Sequence, residues 1–125
     1  FSSRGPTLGP GGAASGGALK PDLVAPDGVS TATYGASNGQ PWPGGAGFFG
    51  TSASTPHVAG GAALLLDAYP GLAVADLAAM LRSEAVDLGA AGPDQETGYG
   101  LLALGFDVVW ADGFESGALW PVHRP

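Results

Sequence analysis

Between Val58 and Tyr69 the chain is apolar at nearly every position, with Asp67 its sole charge, and Pro70-Gly71 ends the run. A segment that is apolar all round and too long for a strand predicts a helix buried on most sides. Its start falls near Thr51, where Thr51 and Ser52 carry hydroxyls able to cap open N–H groups, and Pro56 is close enough to cost no more than a first-turn bond. A second helix is expected from Val74 to Glu84. There Val74, Leu77 and Leu81 recur at i, i+3 and i+7, with Asp76 and Ser83 elsewhere, as on a helix that covers a core from outside.

Upstream the pattern shortens. "DLVAP" offers a strand ended by Pro26, and "GVSTATY" alternates Val29, Thr31 and Thr33 on one side, which predicts a second strand. Residues 5–18 and 35–47 are rich in Gly, Pro, Ser and Asn and read as loops, with Trp42 between two prolines as a surface plug or pocket wall. After a further loop, "GAAGPDQETGYG", the apolar segment "LLALGFDVVW" reads as helix or strand. No internal repeat is visible.

Composition decides between order and disorder. Gly 23 and Pro 11 in 125 residues approach a low-complexity content, but more than half of them precede Thr51, and 45% hydrophobic against 12% charged is a composition that buries itself. The net charge of −7 and the scattered Arg4, Lys20, Arg82 and Arg124 argue against a nucleic-acid or anionic-membrane surface. No stretch is long and apolar enough for a membrane span. Without Cys there is neither a disulfide framework nor a thiolate metal site, which fits a reducing compartment or an exported bacterial protein built without disulfides. The first residue is Phe1, not Met, and the expectation is a portion of a longer protein.

The chemistry concentrates at the head of the long helix. Gly50-Thr51-Ser52 with Pro56-His57-Val58-Ala59-Gly60 at fixed offsets resembles the nucleophile segment of the subtilisin-like serine proteases, Gly-Thr-Ser-Met-Ala-x-Pro-His-Val-Ala-Gly, at eight of its ten specified positions. "FSSRGP", "KPDLVAP" and "GYGL" resemble three further landmarks of that family in the same order. A serine in the first turn of a helix has its Oγ beside converging N–H groups at the positive end of the dipole, where an oxyanion on an attacked carbonyl is stabilised. The resemblance implies Ser52 as nucleophile, Gly50 as the point where backbone approaches substrate, and Thr51 as an added hydroxyl. Gly60 and Gly61 would let the helix pack tightly on a sheet.

The resemblance further implies an α/β fold: the C-terminal part of a three-layer domain with a mostly parallel sheet and a buried nucleophile-bearing helix, over residues 1–109, followed by a tail at 110–125. In that family the triad runs Asp, His, Ser, so acid, base and side-chain oxyanion donor are expected N-terminal to Phe1. Asp22 belongs to the "KPDLVAP" landmark and reads as a structural strand-end acid. His57 lies five residues along the helix from Ser52, about 140° away around the axis, and reads as structural. Three positions depart from the pattern: Ala53 replaces Met, Ser54 replaces Ala, and Asp27 stands where many members continue Ala-Pro-Gly.

The expected function is a serine endopeptidase acting on peptides or proteins, extracellular or in the cell envelope of a bacterium, with this chain inactive alone. The competing readings are a non-catalytic relative or fragment with a packing or binding role, and an α/β-hydrolase-type esterase using Ser52, Asp112 and His123. The second fits poorly, because Ser54 occupies the elbow's closing Gly position. Asp87, Asp94 and Glu96 match no metal-ligand loop and read as a solvated acidic loop. No cofactor is identified, calcium being implied by the resemblance alone. "WADGFESGALW" is similar to short tails that end some exported bacterial proteins.

Overall fold

Two helices carry most of the regular structure: α1, Thr51–Ala68, and α2, Val74–Ser83, joined through Pro70-Gly71 and packed against each other. The structure, a computed structural model, describes residues 2–40 and 43–105. Two short strands follow the helices, β1, Ala85–Val86, and β2, Leu101–Leu102, paired antiparallel with Ala85 opposite Leu102. Val24 joins the other edge of β2 in a parallel bridge to Leu101, its N–H donating to Gly100 and its carbonyl accepting from Leu102, both at 3.0 Å. The α/β class stands, but "DLVAP" contributes a single bridge at Val24 and not the strand its pattern predicts, because β2, the edge it meets, is itself two residues long.

"GVSTATY" does not form a strand of seven residues. Val29 exchanges both backbone hydrogen bonds with Phe48, but Thr31 and Gly35 then pair across a turn, closed by Tyr34 N–H donating to the Thr31 hydroxyl at 2.9 Å. The alternation of Val29, Thr31 and Thr33 reflects residue type without a sheet to receive it. Tyr34 folds back and stacks on Phe48, ring centroids 4.9 Å apart.

The first helix corrects two expectations. Its N-cap is Gly50, and no side chain caps it, so neither Thr51 nor Ser52 plays the capping role that its hydroxyl allowed. Nor is it buried all round: Ala53, Gly61 and Leu65 form its buried stripe, while Leu64 and Leu66 are 44% and 42% exposed. The physical reason is the number of partners. The described residues offer α2 and the strand pair, which reach one face; an all-round apolar sequence specifies a capacity for burial, not the surfaces that fulfil it.

The stripe rests on β2. A Cβ at Gly61 would stand 2.8 Å from Leu102 Cδ2, so this glycine sets how closely helix and strand approach, whereas Gly60 faces open space and does not share that role. On α2, Leu81 is buried and Leu77 half-buried, but Val74, at the first helical position, is 84% exposed. Among the described residues the buried apolar side chains are Ala53, Leu65 and Leu81. Of the apolar segment after Gly100, the strand Leu101–Leu102 lies within the described residues, and from Phe106 onward it does not. Trp42, Asp112, His123 and the 110–125 tail also lie outside them.

Candidate active site

The segment Lys20–Gly28 is the frame on which the other landmarks meet. Asp22 accepts from Lys20 and, at 2.7 Å, from Arg82 of α2, and these two cations hold its carboxyl below the usual carboxylate range. Its own carbonyl takes the Tyr99 N–H at 2.8 Å. Gly98 and Gly100 are both buried and both at positive φ, 64° and 112°, and a Cβ on Gly98 would collide with the Pro21 and Asp22 backbone. "GYGL" therefore lies directly on "KPDLVAP", as only glycine permits. "FSSRGP" reaches the same region: Gly5 N–H donates to Gln95 and Arg4 pairs with Glu96.

One turn further along the frame stands the head of α1. The Ser54 hydroxyl donates to the carbonyls of Ala25 at 3.0 Å and Pro26 at 3.2 Å, and Asp27 Oδ1 accepts the Gly50 N–H at 2.7 Å. Gly50 adopts φ 100° and ψ 178°, and its carbonyl accepts from Ala53 at 2.8 Å and Ser54 at 3.3 Å. The N–H groups of Thr51 and Ser52 are thus left without an acceptor among the described residues, both side chains being exposed. Pro56, inside the helix, offers no N–H to the Ser52 carbonyl.

Ser52 Oγ has no hydrogen-bond partner among the described residues. His57, the nearest imidazole in sequence, donates its Nδ1–H to the Ala53 carbonyl at 2.7 Å, which ties the ring to its own helix. Asp22 is engaged by two cations. Neither side chain hydrogen-bonds to Ser52. Beside Thr51 a largely apolar cleft of about 440 Å³ runs between α1 and residues 22–25, bordered by Ser54, Thr55, Val58 and Leu23; Ser52 is not among its lining residues.

The acidic loop is engaged by its own backbone. Asp94 Oδ1 accepts from the Glu96 N–H, the Thr97 N–H and the Thr97 hydroxyl, and the bonds from the Thr97 and Glu96 amides lower its carboxyl from the ordinary value. Asp87 accepts the Gly92 N–H at 2.7 Å, and Glu96 pairs with Arg4. Among the described residues no three His, Asp or Glu side chains are grouped as they would be around a metal ion. No described helix is long and apolar enough to cross a membrane.

Sequence reasoning placed Gly50, Thr51 and Ser52 together and missed the two residues that tether them. Both had a signal. Asp27 and Ser54 are departures from the family pattern, and each puts a new hydrogen-bonding group where the pattern has none.

Comparison with known proteins agrees with the convergence of these landmarks. The family model of the subtilase family matches residues 1–100. The autotransporter lipoprotein NalP of Neisseria meningitidis serogroup B is 48% identical over 56 residues, 45% of this chain and 5% of NalP. An extracellular serine protease of Serratia marcescens is 40% identical over 55 residues, 44% of this chain and 5% of that protein. The minor extracellular protease Epr of Bacillus subtilis is 47% identical over 53 residues, 42% of this chain and 8% of Epr. The chain thus spans less than a tenth of each relative's length, and no solved structure matches it. With its four landmarks assembled on one frame and the family model covering residues 1–100, the chain belongs to the subtilase family.

Proposed function

We propose that this chain is the nucleophile-bearing C-terminal portion of a serine endopeptidase, with residues 1–109 in the peptidase domain and 110–125 a tail. Ser52 Oγ attacks the scissile carbonyl carbon, its proton passing to a histidine supplied by sequence outside these 125 residues and oriented there by an aspartate. The carbonyl oxygen becomes an oxyanion that the open Ser52 N–H and the Thr51 hydroxyl receive, and Gly50 leaves room for the substrate backbone. Collapse of the intermediate expels the amine, which takes the proton from the imidazole, and water then releases the acyl group by the same steps. The observation that carries this reading is the exposed Ser52 in the first turn of α1, with unpaired N–H groups beside it, in a chain that matches the subtilase family. The site of action is outside the cytoplasm, a reading supported by partial relatives named as extracellular proteases and an autotransporter lipoprotein.

A fluorophosphonate probe, which labels activated serines, tests this on the 125-residue chain, the full-length protein and full-length Ser52→Ala. Labelling of the unmutated full-length protein alone is expected. Labelling of the 125-residue chain would mean that a base lies within it; a folded but unlabelled full-length protein would favour the non-catalytic reading. The esterase reading drops out with the family assignment.

A further inference from the structure

We propose that Asp27 is a positioning residue for the nucleophile: its carboxylate anchors the Gly50 peptide and so fixes how Thr51 and Ser52 enter α1. The inference rests on Ser52 being the nucleophile.

Gly50 needs an anchor from outside. As a glycine at φ 100° it has many other conformations open to it, and as an N-cap without a side chain it cannot secure the helix entry itself. Asp27 Oδ1 meets its N–H at 2.7 Å in a partly buried contact, 23 residues away in sequence. In a capping box a Glu three residues into the helix accepts the N-cap N–H. Here the fourth helical residue is Ser54 and the third Ala53, and the carboxylate comes instead from a separate loop. A negative charge at this end of α1 also suits the helix dipole.

The loop is shaped to deliver it. The same Oδ1 accepts the Gly28 N–H at 2.8 Å, which fixes the carboxylate's own orientation. Gly28, at φ 62°, lies so close under the Phe49 ring that a Cβ would stand 2.8 Å from Cε1. Val29 and Phe48 then exchange hydrogen bonds at 3.1 and 2.8 Å. On the far side of the nucleophile the Ser54 hydroxyl is held by the Ala25 and Pro26 carbonyls. Thr51, Ser52 and Ala53 are therefore bracketed by two fixed points, Gly50 and Ser54, both held by the single stretch Ala25–Asp27. Releasing the Gly50 end leaves Ser52 attached to a glycine hinge.

The test uses the full-length protein, with kcat and KM on a peptide substrate and the rate of fluorophosphonate labelling of Ser52. Asp27→Ala is expected to lower kcat and the labelling rate together by about tenfold or more, with KM little changed, because a misplaced nucleophile costs rate rather than binding. Asp27→Asn, whose amide oxygen can accept both N–H groups, is expected to restore kcat to within about threefold. If Asp27→Ala does not fold, Asp27→Glu, which displaces the acceptor by one methylene and keeps the charge, takes its place and is expected to lose kcat. Wild-type kcat in folded Asp27→Ala or in Asp27→Glu, or a loss in Asp27→Asn as large as that in Asp27→Ala, would overturn the inference. Failure of the serine reading looks different: Ser52 would then be unlabelled in the unmutated protein.

Discussion

Arg82 at the end of α2 donates to Asp22 at 2.7 Å across 60 residues of sequence, and the same guanidinium lies 5.3 Å from the centre of the Tyr99 ring. One side chain thus ties the second helix to both "KPDLVAP" and "GYGL". Arg suits the place, since its planar group can pair with a carboxylate and lie over an aromatic face together.

Loss of that link should be modest. Both side chains are more than a third exposed, at 40% and 36%, so Arg82→Met is expected to lower the urea midpoint of the full-length protein only slightly. Acidification should act in the same direction. The folded-state pKa of Asp22 is lowered, first by Lys20 and then by Arg82, so the folded protein holds fewer protons on this group than the unfolded chain. Its contribution is full above about pH 4 and is lost as pH falls through the lowered value. Asp22→Asn should therefore lose less stability between pH 6 and pH 3 than the unmutated protein, and equal losses would contradict the assignment.

Ser54 stands where the family pattern has Ala, so Ser54→Ala fits sterically and removes only the hydroxyl. The expected cost is about 1 kcal/mol, from bonds to the Ala25 and Pro26 carbonyls. A melting temperature unchanged by Ser54→Ala would show that the hydroxyl adds nothing at this contact.

The adjacent glycines of α1 should respond with opposite signs. Gly60→Ala meets nothing within 4 Å and is expected to stabilise by about 0.5–1 kcal/mol through helix propensity. Gly61→Val must displace Leu102 and is expected to cost about 1–3 kcal/mol. Thermal melts of the two variants check this, and a stabilised Gly61→Val would mean that helix and strand are not in contact.

The 125-residue chain by itself should associate. Leu64, Leu66 and Val74 are exposed at 44%, 42% and 84%, while three apolar side chains among the described residues are buried. Light scattering is expected to show species larger than a monomer, reduced by Leu64→Glu with Leu66→Lys. A monomer with a sharp, concentration-independent melt would argue for a self-contained unit.

Long-period features were legible in the sequence and closure was not. The apolar run and the Pro70-Gly71 stop located α1 and its end, and the i, i+3, i+7 spacing located α2 with Leu81 inside, because helix periodicity is written in contiguous residues. The turn at Thr31–Gly35 escaped, since a β-rich stretch looks the same with or without a neighbouring strand. Likewise Thr51 and Ser52 offered capping hydroxyls, and the choice of Gly50 as N-cap depended on an acceptor 23 residues away at Asp27. The angle of His57 around the axis spoke against a partnership with Ser52, but the bond from its ring to the Ala53 carbonyl was not legible.

The bridge between Val24 and Leu101 has a consequence for the order of assembly. These two residues stand about 80 positions apart, a closure that costs several kcal/mol of chain entropy before any contact returns it. The α1–α2 hairpin closes over a few residues and needs no such wait. During synthesis the segment that grips the head of α1 must therefore stay without its sheet partner until Gly98–Leu102 has emerged. We expect pulse-labelled hydrogen exchange on the full-length protein to find the amides of α1 and α2 protected before that of Val24, with the surroundings of Ser52 completed late, after the helix that carries it has already formed.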